Sequence, residues 1–188
     1  MIKYEKLYKI VKEKLSDKRF KHSEAVVKRA LEYAEVYKLD KDKDIVKLCA
    51  IAHDVAKELD DNEVMYYINK YNIEFDEITK ANKNIWHSKI GAEICRNEFG
   101  FTEDMVNAVK FHTTGRANMS LLEKIICLAD ATEETRTYDD IQEYVEYVIK
   151  DIDYAMFKVS KLVIEKLTNK QVQIHIDTVN CYNYYLKK

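Results

Sequence analysis

Five histidines and a few carboxylates carry most of the chemistry available to this sequence. His53 and Asp54 stand side by side behind the wholly apolar stretch 48–52, LCAIA. Burying an imidazole and a carboxylate without partners is costly. A metal removes that cost, because the imidazole gives nitrogen to one cation while the two oxygens of Asp54 can bridge to a second. Asp130 also closes an apolar segment, between the small residues Ala129 and Ala131, where the helix dipole disfavours a carboxylate that no cation compensates. His22, His87 and His112 lie beside small or hydroxyl residues, in HSEA, WHSKIGA and FHTTG. Each taken singly reads as well as a hydrogen-bonded structural histidine; the set of six points to a metal centre. Nitrogen and oxygen donors without thiolate favour iron, manganese, cobalt or zinc over a structural zinc cluster. Six ligands exceed what one catalytic cation with an open position needs, and they suit two cations.

The elements that must position these residues are helices. The chain has no proline and three glycines, which removes most turn punctuation and leaves no glycine-rich phosphate loop. Apolar residues recur at helical spacing before Ser16, from about 17 to 36, from about Asp42 to the His53-Asp54 pair, in pieces around 61–71 and 74–83, through IWHSKIGAEICRNEF and DMVNAVKFH, and from Ser120 to Ala131. Beyond Arg136 a stripe through Ile152, Ala155, Met156, Val159, Leu162, Val163 and Leu167 carries no histidine and reads as packing structure. The tail VQIHI alternates as a short strand would, but a helix through Val179, Tyr182 and Leu186 fits equally. At 188 residues the expectation is one all-α domain spanning 1–188, with a motif core at about 17–140 and a helical packing region at 141–188.

Composition narrows the function classes. A net charge of −2, from 31 basic and 33 acidic residues mixed along the chain, gives no field for nucleic acid or an acidic membrane surface. Substrate phosphates would have to be met locally. The charged N-terminus does not read as a signal peptide, no apolar run approaches a bilayer's thickness, and the four scattered cysteines read as buried thiols. The expected setting is the cytoplasm. The Tyr-rich tail could pack at a homodimer interface.

Around the candidate metal ligands stand residues suited to an anionic substrate. Lys57, three residues after Asp54, would share its face on a helix and contact phosphate or a leaving oxygen; an ion pair with Asp54 is the plainer alternative. Thr113, Thr114, Gly115 and Arg116 offer hydroxyls, a flexible backbone and a guanidinium within one turn, as a polyphosphate cradle or as a helix cap. Arg19 and Arg136 flank the His22 and Asp130 motifs as further phosphate contacts. Trp86 could stack on a base or pack the core, and His175 reads as surface or structural.

The order H…HD…H…H…D, carried by His22, His53-Asp54, His87, His112 and Asp130, resembles the HD superfamily. RFKHSEAV, AIAHDVAK, IWHSKIGA and FHTTGRANMSLLEKIICLADATEETR look more narrowly like its YqeK family, over about residues 17–140. That resemblance implies a helical bundle around two metal ions, iron first among the candidates. It implies symmetrical hydrolysis of dinucleoside tetraphosphates, with diadenosine tetraphosphate giving two ADP. One cation would be held by His22, His53, Asp54 and Asp130, the other by Asp54, His87 and His112. Asp54 and Lys57 would then act at the reacting phosphorus. Without proline the chain cannot carry the GYP signature of cyclic-dinucleotide enzymes. Val55-Ala56-Lys57-Glu58 has lysine where alarmone hydrolases begin an acidic pair. The alternatives are another nucleotide as substrate, whether a nucleoside monophosphate, a guanosine alarmone or a cyclic nucleotide, or a non-catalytic nucleotide-binding domain.

Overall fold

A computed structural model describes residues 1–39, 42–137 and 140–187. Among these residues the regular structure is helical, in the order α1 (Tyr4–Lys14), α2 (Asp17–Val36), α3 (Lys43–Ala52), α4 (Asp61–Tyr71), α5 (Glu77–Ala81), a 3-10 turn (Lys83–Ile85), α6 (Trp86–Phe99), α7 (Glu103–Lys110), α8 (Leu121–Thr132), α9 (Ile141–Lys150), α10 (Ile152–Asn169) and α11 (Ile176–Leu186).

Helix α3 is the hub. Val46 and every residue from Leu48 to Ala52 are buried, as an all-round apolar helix must be, and α1, α2, α7 and α8 pack around it. Helix α8 is the second buried rod: the Ser120 hydroxyl accepts from the Glu123 amide while the Glu123 carboxylate accepts from the Ser120 amide. This capping box satisfies donors that the first turn would leave orphaned. Behind it Ile125, Ile126, Leu128 and Ala129 are wholly buried. On the far side α10 packs against both α9 and α11, so the apolar stripe from Ile152 onward acts as packing structure.

Three sequence-level readings sharpen in detail. The piece expected around 74–83 is helical only over Glu77–Ala81, because Asp76 stays outside as the N-cap and accepts from the Thr79 amide. The VQIHI segment forms no strand; α11 starts at Ile176, with His175 as its N-cap. Of the two readings of His175, surface or structural, the structural one holds: it is 5% exposed, its Nδ1 accepts from the Asp177 amide and its Nε2 lies 3.1 Å from Asp76. In the Tyr-rich tail Tyr185 turns inward and accepts a hydrogen bond from the Met119 amide, while Tyr182 and Tyr184 are half-buried. All four cysteines are buried free thiols. No helix among the described residues is long and apolar enough to cross a membrane.

Candidate metal centre

Five segments bring the six candidate ligands together. His22 projects from the second turn of α2, whose entry is fixed by Ser16: its hydroxyl accepts from the Arg19 amide and donates to Glu58. His53 is the C-cap of α3, and Asp54 lies in the turn beyond. His87 sits in the first turn of α6, His112 two residues after α7, and Asp130 in the last turn of α8. The four histidines and Asp54 are buried, while Asp130 keeps a side-chain exposure of 20%. The centre therefore has one wet edge.

The outer faces of three imidazoles fix which nitrogen looks inward. The carbonyls of Ala50 and Val109, each 2.7 Å away, can only accept, so the Nδ1 atoms of His53 and His112 carry the hydrogen. Nδ1 of His22 donates to Glu133 over 3.1 Å. Each ring is thus oriented by an acceptor, as metal-bound histidines generally are, and its Nε2 points into the centre.

What these inward nitrogens meet decides the chemistry. Nε2 of His22 and Nε2 of His53 are 3.3 Å apart, and in neutral rings both present lone pairs. They repel unless a proton or a metal cation lies between them; burial opposes a charged His53, yet the neighbouring Asp54 and Asp130 raise its imidazole, so the site attracts positive charge. Oδ1 of Asp130 is 3.1 Å from the first and 3.9 Å from the second, while Oδ2 of Asp54 is 3.8 and 3.4 Å from them. The other oxygen of Asp54 faces a second group: Oδ1 lies 3.1 Å from His87 Nε2 and 3.6 Å from His112 Nε2, which approach each other to 3.2 Å. Metal–ligand bonds of about 2.1 Å at right angles place neighbouring ligand atoms about 3 Å apart. Both groups are contracted to that scale, and a single carboxylate spans them. The donor set fits two cations.

Electrostatics agree with the geometry. Burial works against a charged Asp54, yet the surrounding His53, His112 and His87 hold its carboxyl well below the usual range. Burial likewise opposes the Asp130 charge, and the His22 hydrogen bond with the Arg136 and His53 charges overcomes it. Burial, helped by the charges of His112 and Lys57, pulls the His87 imidazole down to about 4, which leaves it neutral and able to ligate at neutral pH.

The residues assigned to substrate fall into two groups. Arg19 lies 2.9 Å from Asp54 Oδ2, and Arg136 donates to the Asp130 carbonyl and carboxylate at 2.9 and 2.5 Å; both guanidiniums are at the centre. Thr113 Oγ1 stands 3.0 Å from His112 Nε2 and 3.3 Å from His87 Nε2. Lys57 arrives by a different route from the shared helical face, because α3 stops at Ala52 and residues 53–58 run in turns. Its Nζ rests 3.3 Å from His87 Nδ1, whereas Asp54 pairs with Arg19, and burial lowers the Lys57 ammonium. Arg116 points elsewhere: it donates twice, at 2.7 Å each, to wholly buried Glu123, and once to the Ala117 carbonyl. Gly115 has φ +64°, and a Cβ there would lie 2.7 Å from Cys181 Sγ. Thr114 and Gly115 line a cavity of about 200 Å³ with Asp130, His112, Met156 and Val159. Trp86 leans on Phe75 and donates to the Thr79 carbonyl.

One member of the site was not foreseen. Glu133 is wholly buried, accepts from His22 and is itself held by the amide and hydroxyl of Thr135. The only trace in the sequence is a carboxylate three residues after Asp130, which exposed acids elsewhere in this charged chain imitate.

The HD domain family profile matches residues 19–135, which enclose all six converging ligands. The chain belongs to the HD domain family. Within that family it is 34% identical to a symmetrical bis(5'-nucleosyl)-tetraphosphatase of Staphylococcus aureus over 185 residues, 96% of this chain and 93% of the relative. It is 31% identical to the enzyme of the same name from Bacillus subtilis, over 93% and 92% of the two chains. In structure this HD protein superposes on a solved Clostridium acetobutylicum protein, described as a predicted HD superfamily hydrolase involved in NAD metabolism. The TM-score is 0.92 at 30% identity, covering 100% of this chain and 98% of that one.

Proposed function

We propose that this HD protein is a two-metal phosphohydrolase that cleaves dinucleoside tetraphosphates symmetrically, diadenosine tetraphosphate plus water giving two ADP, with iron as the favoured metal. The observation that carries the reading is the split of Asp54, one oxygen in each of two groups of inward-facing imidazole nitrogens. The named activity of relatives matched along almost the whole chain supplies the substrate class. When bound, two cations lower the pKa of water and neutralise charge on phosphoryl oxygens.

The chain's own residues do the rest. His22, His53, Asp54 and Asp130 would hold one cation, and Asp54, His87 and His112 the other. Glu133 keeps His22 in the ligating tautomer. Arg19 and Arg136 each pair with a ligand carboxylate and stand ready to hand a guanidinium to phosphate, which they bind bidentately. Lys57 and the Thr113 hydroxyl sit on the His87–His112 side, placed to orient phosphoryl oxygens. The cavity beneath Thr114 and Gly115 is smaller than the roughly 300–1,000 Å³ of sites for drug-sized ligands. It suits one base, with the polyphosphate emerging past Asp130. Arg116 acts as a brace: its bond to Glu123 ties the 111–120 loop to the capping box of α8. Four buried free thiols support residence in the reducing cytoplasm.

Metal-loaded protein incubated with diadenosine tetraphosphate, and its products separated by ion exchange, tests the reading. ADP as sole product is expected; equal AMP and ATP, or no turnover, would reject it.

A further inference from the structure

A second cavity opens on the other side of the centre. It measures about 180 Å³, and Leu59, Val64, Ile90 and Trp86 line it, with Lys57 and His87 among its walls. The first cavity, at about 200 Å³, meets the centre at Asp130 and His112. Two cavities of nearly equal, base-sized volume thus reach the centre from different sides, one at the Asp130 ligand and the other at the His87 ligand, with the bridging Asp54 between. Its walls are mixed, apolar side chains alternating with Lys57, Asn84 and His87, and at its mouth the exposed Lys83 of the 3-10 turn pairs with exposed Asp61 at the start of α4 over 2.9 Å, its ammonium 5.3 Å from the centre of the Trp86 ring. The indole meets Phe75 at a tilt and carries the exposed Lys83 ammonium over its ring, so a base that displaces the lysine can stack there. Lysine leaves it at little cost, since an exposed ion pair contributes little.

We propose that this cavity seats the second nucleobase of the substrate, stacked on Trp86, with Lys83 moving from the indole toward the ribose and phosphate as the base enters. Asn84 at the rim offers an amide donor and acceptor for the base edge. The arrangement explains how cleavage could be symmetrical: a base held on each side places the middle of a four-phosphate chain over Asp54. The inference rests on the dinucleoside reading above, but its test does not require turnover.

Trp86 is the only tryptophan in the chain, so its fluorescence reports on this cavity alone. Manganese-supplemented protein is titrated with a non-hydrolysable methylene-bridged diadenosine tetraphosphate and, separately, with adenosine 5'-tetraphosphate, which has one base. The two-base compound should quench Trp86 at least several-fold more than the one-base compound. Equal quenching by both, or none by either, overturns the proposal and moves the second base to the polar cleft beside Arg19 and His22. In the kinetic arm Leu59→Trp, a half-buried rim position filled with a ring, should raise KM for diadenosine tetraphosphate at least tenfold, in line with the loss of one stacked base. Inhibition by adenosine tetraphosphate should stay within twofold. An unchanged KM, or equal weakening of both compounds, counts against it. If the wild type hydrolyses no dinucleoside, the proposed activity fails while the fluorescence comparison still decides the cavity's ligand.

Discussion

Replacing Glu133 by glutamine removes a charge without removing a side chain, and the structure fixes what this costs. The carboxylate accepts from His22 Nδ1 at 3.1 Å and from the Thr135 amide and hydroxyl at 2.5 and 2.7 Å. An amide has one accepting oxygen and one donating nitrogen. If the amide oxygen takes the place of Oε1 it still accepts from His22 and the Thr135 hydroxyl, but the nitrogen then faces the Thr135 amide; if the oxygen takes the place of Oε2, His22 loses its acceptor and is released to the other tautomer. Disturbing a partner that orients a metal-bound histidine lowers metal affinity about 10–100-fold, equivalent to about 1.4–2.7 kcal/mol. The loss should be confined to the cation on the His22, His53 and Asp130 side, because Glu133 does not touch His87 or His112. The assay is a manganese titration of chelator-stripped, dialysed protein against a competing dye, wild type beside Glu133→Gln, with circular dichroism as a check on fold. One weakened and one unchanged affinity is expected. Two affinities within twofold of wild type would refute the reasoning.

Further outcomes follow from the same geometry. His53→Ala and Asp54→Ala should each abolish hydrolysis and strip metal from the purified protein; full activity in either, measured beside its metal content, would sink the site. Saturation with metal at 100 times its dissociation constant stabilises the native state by about 2.7 kcal/mol, which for a chain of this size raises Tm by roughly 5–10 °C. Calorimetry with and without a chelator reads this, and His53→Ala should show no such shift. Gly115→Ala places a Cβ 2.7 Å from Cys181 Sγ at φ +64°. Left-handed strain of about 1–2 kcal/mol with overpacking of about 1–3 kcal/mol should lower denaturation stability by at least about 2 kcal/mol, and Cys181→Ala in the same chain should restore part of it. Arg116→Ala strands the buried Glu123 carboxylate and should cost about 2–4 kcal/mol, less than a fully buried pair because Arg116 is partly exposed. KM per folded molecule should stay put; a large KM rise without lost stability would return Arg116 to the substrate.

The metal centre was legible in the sequence where local composition betrays burial. His53-Asp54 follows five apolar residues and Asp130 follows Ile125 to Ala129, so their polarity stands out against segments that had to be interior. His22, His87 and His112 were legible only as a set, since each lies in mixed surroundings and converges through packing of α2, α6, α7 and α8. Glu133 was hidden because its burial comes from α2 lying over the end of α8, 111 residues away in sequence. Lys57 shows the limit of periodicity: the helical phase ran on past Ala52, whereas the backbone turned at His53 and carried the lysine to His87. Arg116 read as part of a phosphate cradle or a cap because its partner Glu123 lies across a loop, and whether His175 was surface or structural stayed open because Asp76, its partner, lies 99 residues earlier.

One carboxylate, Asp54, divides the ligands between two cations in the proposed centre. Metal content per chain, measured by plasma mass spectrometry on protein purified without chelator and shown to be active, tests it most directly. Two equivalents are expected in the wild type. Full activity with one cation per chain, or with none, would contradict it.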